Sequence, residues 1–332
     1  MSGANLSGLW RSIELAGALG APTLRFLDTG VVFPTGTALV GLDGAGERHL
    51  CIPSSVDELG CEDKRSLGVS IEVRPLRDAA GKESPFVDVH CHRPDLNPVF
   101  EIVASEILKS VEAGTDSPFR AAHTVLERWR DLLEPSGSGL LGPQQLAALL
   151  AELLLLERLG AGGPPPLASW LGPDKGPHDF VCGAVDFEVK STLTTTGREV
   201  QIHGLSQLTA SPGSMLYLWW ARLRPSPGRG FTVPSVVEAL LARGCDSSIL
   251  LKKLSLMGYK LSDAGHYQNT PFELVESSLY AVDAAFPKLT VDSFTDGLHP
   301  QVRRVDYSIS LDAATPVPLS PMVADTIFKA VG

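Results

Sequence analysis

The segment 144–159 constrains the fold more than any other. From Leu146 to Leu159 it is rich in leucine and interrupted by Glu152 and Glu157. Read as a helix it is apolar almost all the way round, which requires cover on most sides. Glu152 is conspicuous there, because a buried carboxylate with nothing to answer its charge is costly. A chain of 332 residues, 44% apolar and 20% charged, has the material for two or three domains and for such a core. The run is too short and too acidic to cross a bilayer. The start Met-Ser-Gly-Ala-Asn lacks the basic and apolar stretches of a secretory signal, so a cytoplasmic location is expected. Cys51, Cys61, Cys91, Cys182 and Cys245 show no CxxC spacing, and reduced thiols are the default.

Around this helix the chain reads as an α/β protein. Short β-favouring runs at 30–33, 37–40 and 70–73 are separated by Gly, Pro and Asp clusters, giving a β-rich N-terminal domain over 1–95. Helical patterns at 98–111 and 118–133 make a connector over 96–138, and the Pro/Ser/Gly-rich stretch 134–143 places a boundary there. A core over 139–223 follows. It holds the apolar helix, strands at 178–182, 185–193 and 198–202, a helical start at 205–208 and an apolar strand at 215–223. The region 224–332 reads as mainly helical, with helices at 234–243, 247–257 and 271–285 and a final strand pair near 302–311.

The chemistry is concentrated in His178-Asp179-Phe180 and Asp186-Phe187-Glu188-Val189-Lys190. Side chains alternate faces along a strand, so Asp186, Glu188 and Lys190 share one face and Phe187 and Val189 the other. A carboxylate and an ammonium two residues apart on a rigid strand are the parts that metal-assisted phosphodiester hydrolysis needs. The acid holds a hard cation, and the lysine orients water and offsets developing charge. Asp179 is placed to supply a second carboxylate across a turn at Gly183-Ala184, and the Val189 carbonyl can add another oxygen. The triplet alone is weakly specific, since Glu62-Asp63-Lys64 repeats it in a wholly polar stretch without alternation. A net charge of −10 argues against non-specific coating of nucleic acid but leaves a local site open.

These phrases resemble the PD-(D/E)XK nuclease superfamily, with His-Asp in place of Pro-Asp. With Glu152, Trp170-Leu-Gly-Pro173 and Gln207-Leu208 they resemble more narrowly one PD-(D/E)XK family found among restriction-modification and phage-defence genes. The resemblance is strongest over about 140–223. It implies a restriction-endonuclease-like core of helix, three-stranded sheet, helix and strand. It also implies Mg²⁺, with Mn²⁺ as substitute, held by Asp179 and Glu188, with Glu152 beside the metal, Lys190 catalytic and Gln207 on the second core helix. The implied activity is DNA endonuclease in a restriction or defence system. DNA, an ATPase or methyltransferase subunit and a second copy of the chain are the implied partners. The competing class is a catalytically silent DNA-binding or assembly subunit.

Other candidates read more plainly. Asp88, His90 and His92 share a strand face, but without a series of further ligands on later strands they read as a polar edge strand rather than a metal site. Arg222, Arg224, Arg229, Lys252, Lys253, Arg303 and Arg304 are candidate phosphate contacts, with a solvated face as the alternative. Trp219 and Trp220 lie on a strand, so one ring faces the core. No phosphate loop of the Walker type and no serine nucleophile elbow occur.

Overall fold

A computed structural model describes residues 5–16, 24–66, 68–77, 81–114, 117–129, 139–294, 299 and 301–331. The expected linker residues 134–138 and the end of the expected 118–133 helix lie outside them. The chain divides into two compact units, residues 1–139 with 260–262 and residues 140–259 with 263–332.

The first unit opens with α1 (Leu6–Leu15) and continues through β1 (Arg25–Phe33), β2 (Gly36–Leu42), β3 (Arg48–Pro53), β4 (Glu62–Asp63), β5 (Val69–Arg77) and β6 (Glu83–Cys91) to α2 (Asn97–Glu112) and α3 (Pro118–Trp129). Its strands form one antiparallel sheet in the order β1-β2-β3-β6-β5-β4. Val69, Ile71, Val73, Val87 and Val89 alternate along β5 and β6 and are fully or almost fully buried, on the face that α2 and α3 cover. The expectation of a polar edge strand at Asp88–His92 is corrected here. β6 is hydrogen-bonded on both sides, to β3 and β5, because its other face carries Val87 and Val89 into the core.

The second unit contains α4 (Pro143–Leu159), β7 (Phe180–Cys182), β8 (Val185–Thr192), β9 (Glu199–His203), β10 (Met215–Pro225), α5 (Val233–Ala242), α6 (Ser247–Leu256), α7 (Ala264–Tyr267), β11 (Phe272–Ala281), β12 (Asp306–Ser310) and α8 (Pro321–Val331). A four-stranded sheet runs β11-β10-β8-β7, with β10 parallel to β8 and both other pairings antiparallel. α4 packs on β8 and against α5 and α8, burying its leucines on nearly every side as its composition requires. In the parallel register Phe187 and Val189 align with Tyr217 and Trp219, and Phe187 packs against Tyr217 and Phe328 of α8. β9 and β12 pair only with each other among the described strands. Their Val200, Ile202 and Ile309 pack with Leu216, Leu218, Trp220 and Tyr280 in a second core.

The fold is thus mixed α/β, with a β-rich N-terminal half and helices later. Four details differ from the sequence reading. The third expected core strand, at 198–202, forms as β9 but joins the β9–β12 ribbon. Residues 205–208 form turns rather than a helical start, since Gly204 at φ 96° and the Ser211-Pro212-Gly213 turn leave no room to propagate one. The expected helix at 271–285 is β11. Its apolar spacing suits either period, and pairing at nine positions satisfies the otherwise open edge of β10. The expected strand pair near 302–311 is the single strand β12, whose partner is the distant β9. Among the described residues no helix is long and apolar enough to cross a membrane, and all five cysteines are free.

Candidate metal centre

β7 and β8 form a hairpin through Gly183-Ala184. Gly183 takes φ 66°, a left-handed conformation open to glycine without a Cβ penalty. The register pairs Phe180 with Phe187 and Cys182 with Val185, so one further step sets Asp179 beside Glu188. Asp179 Oδ2 accepts a 2.7 Å hydrogen bond from the Val189 N–H, which fixes its carboxylate against β8. Its backbone carbonyl accepts from the N–H groups of Leu171 and Gly172, at 2.7 and 3.0 Å, and so binds the preceding loop.

That loop brings in Glu152. The indole N–H of the fully buried Trp170 donates to Glu152 Oε2 at 2.7 Å. Lys253 on α6 donates to the Trp170 carbonyl at 2.6 Å and pairs with Asp174, holding the loop from behind. Gly172 lies where the acids meet. A Cβ there would stand 2.8 Å from Glu152 Oε2 and 3.0 Å from Asp179 Oδ1, so two carboxylates close on one point that only a glycine leaves clear.

Glu188 is buried, and its Oε1 lies 2.9 Å from Lys190 Nζ. Lys190 donates to Gln207 Oε1 at 3.1 Å, and the same oxygen accepts the His203 N–H at 2.7 Å. Gln207 therefore reaches the site from a turn. His178 lies between two acids, with Nδ1 3.8 Å from Glu188 and Nε2 3.8 Å from Asp186, and with Nε2 3.0 Å from the Thr209 carbonyl. Asp186, wholly buried, accepts the Ser211 N–H at 3.2 Å, as a structural acid would.

The electrostatics follow from this crowding. Burial first, then Asp179 and Glu188, push the Glu152 carboxyl up to about 8, against the Trp170 hydrogen bond. Burial and then Glu188 push Asp179 up to about 7, with the Val189 N–H and Lys190 pulling the other way. Burial would lower His178, but the Glu188 and Asp186 carboxylates outweigh it and raise it. Three acids in one poorly solvated place repel each other unless protons or a cation intervene. Their hard oxygen donors fit a divalent ion such as Mg²⁺, and fit poorly to a metal that favours sulfur or nitrogen.

A family model described as "Putative PD-(D/E)XK family member, (DUF4420)" matches residues 9–312. The chain belongs to this family. No match was found among curated proteins or among solved structures. In this PD-(D/E)XK family member the match extends across both units, well beyond the 140–223 segment that carried the resemblance.

The fold brings Glu152, Asp179, Glu188, Lys190 and Gln207 into one neighbourhood, with Val189 between two of them as the donor to Asp179. Trp170, Gly172 and His178 support it and had no assigned role in the sequence reading, and Lys253, a candidate phosphate contact there, is buried and bound to the Trp170 carbonyl and Asp174 instead. Trp170 and Gly172 stood in a phrase that carried the resemblance, and His178 preceded the first acid, but no periodicity reveals what they touch. Several cations considered for phosphate serve the fold instead. Arg222 donates to the Thr194 and Gly197 carbonyls at 2.5 and 2.7 Å, and Arg224 pairs with Glu273. Trp219 and Trp220 are both buried, Trp220 beneath the guanidinium groups of Arg222 and Arg198 at 5.0 and 5.8 Å.

Proposed function

We propose that the chain is a metal-dependent deoxyribonuclease whose centre is the Glu152–Asp179–Glu188–Lys190 cluster. The observation that carries this reading is the convergence of two buried carboxylates and the part-buried Asp179 beside a lysine, with two of the acids held well above their ordinary range. Membership of a PD-(D/E)XK family supports it. The α4–β7–β8–β10 arrangement is read as a restriction-endonuclease-like core, in which α4 backs the hairpin and β10 extends the sheet.

Asp179, Glu188 and Glu152, with the Val189 carbonyl, would hold Mg²⁺ or Mn²⁺, which when bound supplies Lewis acidity and charge neutralisation at the scissile phosphate. Lys190, fixed by Glu188 and Gln207, orients the attacking water and places a positive charge where negative charge develops. Trp170 holds Glu152 in the ligand position. The substrate is DNA, and Arg303 and Arg304 line an open groove with His203 and Ser206, where Arg304 also pairs with Asp306 at 2.6 Å. In this reading the protein serves restriction or phage defence, alone, as a homodimer or with an ATPase or methyltransferase subunit.

The test is cleavage of circular and linear DNA, modified and unmodified, in Mg²⁺ or Mn²⁺ by the wild-type chain and by Lys190→Ala. Cutting by wild type and its loss in the variant are expected. Equal cutting by both would reject the assignment of Lys190. No cutting, together with no Mg²⁺ or Mn²⁺ binding, would reject the nuclease reading in favour of a silent subunit.

A further inference from the structure

The first unit carries another cluster, on the face of its sheet opposite α2 and α3. β3 and β6 pair His49 with His90 and Cys51 with Asp88. The His49 and His90 rings stack at 3.9 Å and 18°, and His92 adds a third ring 4.0 Å from His90. Stacked imidazoles at a strand junction need a reason, because each ring must place two nitrogens.

His49 is the informative member, at 3% exposure. Its Nδ1 lies 2.8 Å from Asp88 Oδ1, and Asp88 Oδ2 is clamped by Arg74 Nε and Nη2 at 2.8 and 2.6 Å. With Nδ1–H donated to Asp88, the neutral ring keeps its lone pair on Nε2. That nitrogen is buried, has no hydrogen-bond partner and lies 3.8 Å from Asp43 Oδ2. Asp43 is preset for the same place. Its Oδ1 accepts the N–H groups of Ala45 and Glu47 at 2.9 and 2.8 Å, which leaves Oδ2 for something else. His90 Nε2 is 2.7 Å from Glu47 Oε2 but without the alignment of a hydrogen bond. The ligand atoms of Asp43, His49 and His90 all lie within 4.8 Å of one another, as do those of Glu47, His90 and His92.

We propose that this cluster is a second metal site, taking a zinc-type dication on His49 Nε2, His90 Nε2 and Asp43, with Glu47 beside His90. Two imidazoles with a carboxylate suit such an ion better than Mg²⁺. Asp88 then performs the task usual for a carboxylate behind a metal-bound histidine: it fixes the tautomer and the ring direction, with Arg74 fixing Asp88 in turn. The ion ties the β2–β3 turn, which supplies Asp43, to the C-terminal end of β6. The competing account is that the cluster only supports the β3–β6 junction through the His49–Asp88–Arg74 hydrogen bonds.

The test uses the full chain carrying Asp179→Asn and Glu188→Gln, so that the acids of the second unit do not contribute, and titrates it with Co²⁺ and then Zn²⁺. One Co²⁺ per chain with the visible absorption of a four-coordinate ion, displaced by Zn²⁺, is expected. Binding should be lost in His90→Asn. It should weaken at least tenfold in Asp43→Asn, which keeps the Oδ1 acceptor that builds the turn. Circular dichroism of both variants in chelator checks that the sheet persists without metal. Absence of Co²⁺ and Zn²⁺ binding, or binding unchanged in both variants with the fold intact, would overturn the proposal.

Discussion

The same triplet, Glu-x-Lys, occurs twice in this chain and does different work. Glu62 and Lys64 form an ion pair at 2.5 Å, with side chains 54% and 55% exposed, where β4 closes the edge of the first unit's sheet. Glu188 and Lys190 form a pair at 2.9 Å, with side chains 4% and 16% exposed, on a strand between two others. Water screens the first pair and satisfies its spare lone pairs, so it is an ordinary surface contact. The second has Asp179 and Glu152 around it, and its lysine is shared with Gln207. The comparison teaches that the motif's meaning lies in what surrounds it: burial turns a pair of charges into a charge imbalance, and an imbalance invites a cation.

The largest effect that would sharpen this contrast is catalytic. Lys190→Ala and Glu188→Gln are each expected to lower DNA cleavage by on the order of 10²-fold or more, the scale seen when a single preorganised charge-stabilising group is removed. Lys64→Ala should cut as wild type does. Comparable losses at both triplets, read in single-turnover assays, would break the comparison.

Metal binding comes next. Saturating Mg²⁺ or Mn²⁺ should raise the melting temperature of the wild-type chain, since a ligand at ~100 times its Kd stabilises the native state by ~2.7 kcal/mol. Glu62→Gln should respond equally, and Asp179→Asn should respond little. Calorimetric melts with and without the ion would test it, and an undiminished response in Asp179→Asn would remove that residue from the metal site.

Without metal the two acids give stability a pH dependence of defined sign. Unfolded, Glu152 and Asp179 ionise near 4.5 and 3.8; folded, they keep their protons up to about 8 and 7. Their neutral forms therefore contribute stability that is fully present below about pH 4 and is lost as pH rises through 7 to 8. Glu152→Gln should flatten this fall in chelator-treated protein, and urea midpoints across pH 5–9 would show it. A wild type and variant with parallel profiles would mean that Glu152 is solvated in practice. Gly172→Ala probes the same crowding sterically. Its Cβ would meet both carboxylates at or below 3.0 Å, so metal affinity should fall by about tenfold, within the ~1–3 kcal/mol typical of overpacking.

How far the sequence reveals the site follows from the same contrast. Alternation over 185–190 is a local property, and it correctly set Glu188 and Lys190 on one face with Phe187 and Val189 on the other. The Gly183-Ala184 turn likewise determined the register that brings up Asp179. The all-round apolar run of α4 announced its burial, and with it the oddity of Glu152. What stayed illegible depends on distant segments. Gln207 reads as a helical residue because Leu205 and Leu208 have the spacing, yet Gly204 and the Pro212 turn prevail. Residues 271–285 carry apolar positions compatible with either period, and the unpaired edge of β10 decides for β11. His49 stands alone in sequence, and only the β3–β6 pairing puts it against His90.

The smallest expected effect is the one most able to break the comparison. Breaking the surface pair with Lys64→Ala removes one exposed charge from a pair that solvent screens. Glu62 stays hydrated when it loses its partner, so no buried charge is left uncompensated. The unfolding midpoint in denaturant should be unchanged within error, and salt should not alter the comparison with wild type. Lys190→Ala should behave otherwise even without substrate, because it leaves the buried Glu188 and Glu152 and the part-buried Asp179 with one fewer positive neighbour. Metal-free Lys190→Ala should thus lose more stability than wild type as pH rises above neutrality and regain it on adding Mg²⁺. If Lys64→Ala showed the same metal-dependent recovery, the exposed triplet would also bind a cation, and burial would no longer be what separates the two.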